Sequence, residues 1–451
     1  MKALSTTLRK MSIVLSFVFS ITSLLILIVL LLGVSSCSDE VKITRKYTYL
    51  EPVYSTTAEV RQAFDVVAPQ VIRTTGKIYY LNGYLFINEP GEGIHVINNT
   101  DPRHPQNVSF INIPGNFDMA AKGNVLYADS YIDLLAIDIS NVNDVKILKR
   151  AEDVFPVRYD VHYQTGTQDV PVILTDYREV EVVEVFEEDL GAEIYPGFYM
   201  YESGFLVNAF TLRNAVSADM TNNANPSTPM AGIGGSMARF TILDDHLYTI
   251  DNYNMQVFDI SSLQDPVAGN TINVGWNIET IFPYKENLFI GAQNGMYIFD
   301  ASDPENPVQM STFEHVQSCD PVIVDGEIAY VTLRSGTECL GYTNQLDVVD
   351  VSNLNNPVLM KTFQMDNPHG LGKDGDLLFI TEGEHGLKVF NAEDPMQIGD
   401  RLLKHYDDLH AFDVIPFGGV LMLIGEDGLY QYDYTDPENI ELLSTLSVIR
   451  E

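Results

Sequence analysis

One pattern recurs along this chain at an almost fixed interval. An apolar run ends in an acidic or amide residue, a turn rich in Ser, Thr and Asp follows, often with Pro, and a second apolar run begins. The copies end at Asn98, Asp138, Glu184, Asp259, Asp300, Asp350, Asn391 and Asp433, with spacings of 40, 46, 75, 41, 50, 41 and 42 residues. A period near 40 residues marks a repeat architecture, in which each unit buries its faces only against its neighbours. Runs such as Tyr248-Thr249-Ile250, Leu288-Phe289-Ile290, Ala329-Tyr330-Val331 and Leu378-Phe379-Ile380 lie upstream of the anchors and are rich in strand formers. Asp-Pro pairs at 101–102, 265–266, 303–304, 394–395 and 436–437 end the pairing, since Pro has no N–H for a ladder. No segment after residue 37 sustains a helical period. The expectation is an all-β fold, a β-propeller of four-stranded blades closed into a ring. Eight anchors favour eight blades. Seven is the alternative, because Glu184 stands where the other copies have Asp or Asn and no Ser-x-x-x-x-Pro turn follows it.

The strings QVFDISSLQDP, YIFDASDPENP, DVVDVSNLNNP and KVFNAEDPMQ resemble LVIVD repeats, a family of extracytoplasmic β-propeller repeats. The resemblance runs over about residues 72–451 and is weak between 155 and 235. It implies a fold and an extracytoplasmic location, not a reaction.

The N-terminus reads as a targeting segment. Lys2, Arg9 and Lys10 precede a nearly unbroken run of apolar or small residues from Ile13 to Val34. The sequence Val34-Ser35-Ser36-Cys37 resembles a bacterial lipobox, which implies cleavage before Cys37 and lipidation of that cysteine. An uncleaved signal anchor is the competing reading, since a run of 22 residues is long enough to span a bilayer. Ser38, Asp39 and Glu40 resemble the acidic surface-export signals of Bacteroidota lipoproteins. The domain expectation is a signal peptide over 1–36, a lipid anchor and tether over 37–70, and a propeller over 71–451. A Gly-, Asn- and Ser-rich loop is inserted at about 205–236.

Charge excludes one class of partner. The full chain has a formal net charge of −36, and removing the three basic residues of 1–36 leaves 23 − 62 = −39. A body this acidic does not suit nucleic acid. It would also be repelled by anionic lipid, so the lipid on Cys37, not the surface, would hold the protein at a membrane.

Three further features bear on a site. Cys319 and Cys339 lie 20 residues apart in one repeat, where an exported protein forms a disulfide or keeps two buried thiols. Aligning repeats on Gly326 and Gly375 places Asp320 and His369 at equivalent positions, six residues upstream; looser alignment adds Asp118, Arg239, Glu279 and His410. Innermost strands line a propeller channel, so these six residues are candidates for one channel mouth, lined with polar groups and open to water, a divalent cation or a polar ligand. The nine histidines show no zinc-type pairing, and no EF-hand, Walker, Rossmann or G-x-S-x-G motif is present. With no catalytic motif, the expected function is a non-enzymatic outer-membrane lipoprotein, exposed at the surface, whose propeller binds a protein or glycan. The alternative is an extracytoplasmic enzyme acting on a glycan or small polar substrate, with Asp320, His369 and His410 at the mouth. A third reading is a structural part of an outer-membrane complex, in contact through the insertion.

Overall fold

The computed structural model describes residues 18–26, 41–155, 172–188, 230–318, 321–336 and 341–449. Cys37, Cys319, Asp320 and Cys339 lie outside these residues, as does most of the insertion. The chain divides into two compact units, one of residues 1–52 and 177–199, the other of 53–176 and 200–451. Among the described residues no helix is long and apolar enough to cross a membrane.

The larger unit is a ring of seven four-stranded antiparallel blades, not eight. The blades span residues 78–112, 119–151, 240–273, 278–314, 322–364, 371–406 and 411–447, and are numbered 1 to 7 in that order. The discrepancy traces to the Glu184 copy. It lies in a single strand, Val172–Glu188, which pairs with Val41–Thr56 as a two-stranded ribbon. Without the Asx turn that ends each true third strand, nothing breaks the run into hairpins. Residues 41–67, expected as a tether, are ordered as that first ribbon strand, the helix Thr57–Gln62 and the strand Asp65–Val67, which adds to the outer edge of blade 1.

The repeat has a local cause. All seven anchors accept a hydrogen bond on their side-chain oxygen from the backbone N–H two residues on: Asn98 from Thr100, Asp138 from Ser140, Asp259 from Ser261, Asp300 from Ser302, Asp350 from Ser352, Asn391 from Glu393 and Asp433 from Thr435, at 2.8–3.1 Å. An Asx turn of this kind ends the third strand and aims the chain into the fourth. In the five aspartates the hydrogen bonds from the Ser or Thr two residues on hold the carboxyl below its usual range. Each third–fourth strand pair also carries a bulge, which adds twist.

Apolar side chains fill every interface between blades, and each blade pins the third–fourth loop of the next. Ser109 donates to Val142, Tyr127 to Leu263, Tyr248 to Pro304, Ser311 to Leu354, Lys361 to Met396, Tyr406 to Ile440 and Ser444 to Pro102, each through a backbone carbonyl at 2.5–2.9 Å. The last of these closes the ring from blade 7 to blade 1. No strand is exchanged there. Closure rests on the apolar cluster of Ile78, Leu85, Ile87, Ile415, Met422 and Ile424, and on a buried reciprocal amide pair, Asn99 with Gln431, at 2.8 Å in both directions.

Candidate functional site

The first strand of each blade borders the axis, and all seven begin on the same face, termed here the upper face. Seven residues before the second strand of blades 1, 2, 3 and 7 stand Lys77, Asp118, Arg239 and Asp413. Around the ring, from blade 7 through blade 3, their charges alternate: Asp413, Lys77, Asp118, Arg239. Thr280, Pro321 and Gly370 hold the same position in blades 4, 5 and 6. Gly370 has a steric reason, since a Cβ there would sit 2.3 Å from Asp413 Oδ1.

The axis itself is occupied by the protein's own chain. Residues 230–238, the end of the insertion, run along it and turn into the first strand of blade 3. Gly123 of blade 2 donates to Met230, and Gly232 donates to Ala121, both at 2.8 Å. Ile233 and Gly234 pair antiparallel with Tyr80 and Tyr79 of blade 1. At the upper face, Ser236 N–H donates to Asp413 of blade 7 at 3.2 Å, and Ser236 Oγ accepts from Leu371 N–H of blade 6 at 2.8 Å. Lys77 Nζ donates to the Met237 carbonyl at 2.5 Å, and Ile281 of blade 4 to the Ala238 carbonyl at 2.9 Å. The Gly232-Ile233-Gly234-Gly235 run, which has no motif context in the sequence, thereby gains one. A Cβ at Gly232 would meet the Tyr79 ring at 2.3 Å and the Tyr80 carbonyl at 2.6 Å, so only glycine lets the strand lie this close. A void of about 30 Å³ bordered by Tyr79, Gly234, Phe240 and Ile281 remains beside it. That is room for a water or two, not a substrate.

The six candidates therefore divide. Asp118 and Arg239 belong to the alternating belt, with Asp118 accepting from Met119 N–H at 2.7 Å and Arg239 N–H at 2.5 Å. Burial pushes the Asp118 carboxyl up, against the pull of Lys77. Glu279 lies at the mouth on blade 4, where Gln293 Nε2 donates to it at 2.9 Å and the Arg239 guanidinium spans Ile278 O, Glu279 O and Asn252 Oδ1 at 3.1–3.4 Å. Burial raises Glu279 as well, opposed by Gln293, Arg239 and Arg334. His369 is buried on blade 6, with Nδ1 2.8 Å from the Asn367 carbonyl and Nε2 2.9 Å from Arg334. Donation from Arg334 requires an unprotonated Nε2, and burial, followed by the Arg334 charge, holds the imidazole well below its usual pKa. His410 pairs with Glu426 at 2.5 Å, and the Phe412 ring packs against both histidines, 4.7 Å from His410 and 6.0 Å from His369. Asp413 occupies the axial position instead, seven residues before its second strand like Lys77, Asp118 and Arg239, while His410 lies three residues earlier, beyond a bulge between Ala411 and Asp413.

Sequence reasoning also missed Lys77, Ser236, Gln293 and Arg334. The seven-residue offset from the second strand finds Lys77 and Asp413; nothing local marks the other three. Among the described residues no group of three His, Cys, Asp or Glu side chains is arranged to hold a metal ion.

The LVIVD repeat family matches residues 285–314 and 338–365, which fall in blades 4 and 5. None of the curated proteins compared matches the chain. Solved structures align with the chain at low identity and with TM-scores below 0.5. The computationally designed protein Ika8 is 8% identical, with a TM-score of 0.46 over 84% of this chain and 91% of its own. BamB from Moraxella catarrhalis is 9% identical, with a TM-score of 0.43 over 85% of this chain and 97% of its own. The periplasmic gluconolactonase PpgL of Pseudomonas aeruginosa is 13% identical, with a TM-score of 0.39 over 47% of this chain and 70% of its own.

Proposed function

We propose that this protein is a surface-exposed outer-membrane lipoprotein, anchored through Cys37, whose propeller is a non-enzymatic scaffold that binds a ligand or partner with the loops of its upper face. One observation carries the placement of binding. The axis is filled by residues 230–238 and sealed by hydrogen bonds to five blades, so a ligand meets loops and not a channel. The ionisable groups at the mouth are engaged with one another. Arg334 holds His369, Glu426 holds His410, and Gln293 donates to the Glu279 carboxylate. General acid–base work needs such groups aimed at a substrate.

Two measurements on the full chain in cells test the reading. Cys37→Ala is expected to abolish incorporation of labelled fatty acid and release the protein from the membrane fraction; retained label overturns the anchor. A photo-crosslinking residue at Tyr253, on the upper face, is expected to give adducts, and one at Glu305, on the opposite face, none. Adducts from Glu305 alone, or from neither position, overturn the placement.

A further inference from the structure

The outer edge of each blade is its fourth strand. An exposed edge offers unpaired backbone groups to any other chain, and proteins guard such edges with charged side chains or cover them. Five fourth strands of this ring carry a charged guard: Lys149 in blade 2, Glu314 in blade 4, Lys361 in blade 5, Lys404 in blade 6 and Glu441 in blade 7. Two have no ionisable residue. They are Gln106–Asn112 of blade 1 and Val267–Asn273 of blade 3, and both end in Ile-Asn. The first is covered by the chain itself. Asp65–Val67 pairs antiparallel with it, Asp65 opposite Asn112 and Val66 opposite Ile111. The second is bare. Among the described residues no strand pairs with its outer side, and all of its residues except Ile272 are exposed.

The two edges correspond position by position, since Asn112 and Asn273 each stand opposite the first residue of their third strand. Asn112 Nδ2 donates to the Ala63 carbonyl of the covering segment at 2.7 Å. Asn273 Nδ2 turns back instead, to Asn254 Oδ1 at 3.2 Å and the Tyr253 carbonyl at 3.4 Å. Ile111 is wholly buried, while Ile272 in the same place is only half-buried. Blade 3 thus has the edge of blade 1 without its cover.

We infer that the outer edge of blade 3 over Thr271, Ile272 and Asn273 docks an extended segment of a partner polypeptide, which adds antiparallel as Asp65–Val67 does on blade 1. Ladder hydrogen bonds supply the affinity, and the side chain opposite Ile272 is branched and apolar, as Val66 is. Charge selects the occupant. A second copy brings the same net −36 and is repelled, whereas an uncharged segment with a basic flank is attracted. The edge is a second surface, beyond the upper-face loops of the scaffold reading.

The full-length protein in detergent is panned against a phage-displayed library of random decapeptides. Wild type is expected to enrich peptides with a β-branched residue at the centre and Lys or Arg at one end. Thr271→Lys, which copies the guard that Lys404 provides at the same register in blade 6, is expected to bind the synthetic form of such a peptide about tenfold more weakly. A second arm leaves the protein untouched. Alternate amides of an added strand face the edge, so N-methylation of that set is expected to weaken binding about tenfold or more, and N-methylation of the other set to leave it unchanged. No enrichment on wild type over Thr271→Lys, or equal loss from both methylated sets, overturns the inference. So does a wild-type dimer that Thr271→Lys returns to monomer, which would assign the edge to a second copy. Adducts at Tyr253 with no edge-binding peptide leave the scaffold reading standing and remove only the edge.

Discussion

Asp118 and Asp413 occupy the same place in two blades, seven residues ahead of the second strand, and both are almost fully buried. Their surroundings differ. Asp118 accepts backbone N–H groups on both carboxylate oxygens and lies in the ring between Lys77 and Arg239. On Asp413, Oδ1 accepts from Ser236 at a longer 3.2 Å, and Oδ2 is buried with no partner among the described residues. Burial raises both carboxyls. For Asp413 burial carries the shift well above the usual range against the Val414 N–H, Lys77 and Ser236, and Asp118 adds repulsion. The lesson is that the repeat fixes where a side chain stands, while the non-repeated axial segment decides whether its charge is satisfied.

The largest expected effect tests that dependence directly. Gly232→Val would drive the axial strand off Tyr79, withdrawing the Ser236 donor from Asp413 and the Met237 acceptor from Lys77. Overpacking plus stranded polar groups should lower stability by roughly 3 kcal/mol or more. A midpoint in urea unchanged from wild type would show that the axial segment is not integral to the ring.

Next comes Asp118→Asn. An amide has one acceptor oxygen, so the Met119 or Arg239 N–H would face an NH2 group. The expected loss is about 1–3 kcal/mol by denaturant unfolding. Asp413→Asn should act with the opposite sign at neutral pH. Its native pKa is raised, so wild-type stability falls as pH rises above the unfolded value near 3.9, by up to about 1.4 kcal/mol per pH unit, until the native pKa is reached. The amide removes that slope and should stabilise the protein at pH 7. Equal destabilisation by both substitutions would erase the distinction drawn between the two sites.

The smallest effect involves His369. Its native pKa is depressed, so its contribution is complete above the unfolded value near 6.5 and is lost as pH falls below it. His369→Gln should flatten the wild-type decline in stability between about pH 6.5 and 5. A decline unchanged by the substitution would assign it to other groups.

Much of the fold was legible in the sequence because its cause is local. Each anchor makes its own Asx turn with a residue two places on, so the motif and the structure share a period. The count of blades was less legible. Val182-Val183-Glu184 has the strand composition of a third strand but no turn after it, and composition alone cannot separate a blade strand from a ribbon strand. Aligning turns singles out Asp118, Arg239, Glu279 and His369 as mouth candidates. His410 stands ten residues before its second strand, three earlier than the position that Asp413 shares with Lys77, Asp118 and Arg239. Ser236 and Arg334 were beyond reach, since their roles arise from partners more than 30 residues away in sequence.

The axial segment also constrains the order in which the molecule assembles. Residues 230–238 are bonded to blades on both sides of the later ring closure, and a finished ring leaves no width through which to thread a polypeptide. The segment that leads into blade 3 must therefore be laid against Tyr79 and Ala121 while the circle is still open, and blades 3 to 7 must wrap around it. Synthesis from the N-terminus suits this, because blades 1 and 2 emerge first and offer the docking edge. The join between Asn99 and Gln431 then comes last. Pulse-labelling hydrogen exchange during refolding should show Gly232 and Gly235 protected before Ile449, which bonds to Ile72 across that join. The reverse order would mean the circle closes first and is breached later.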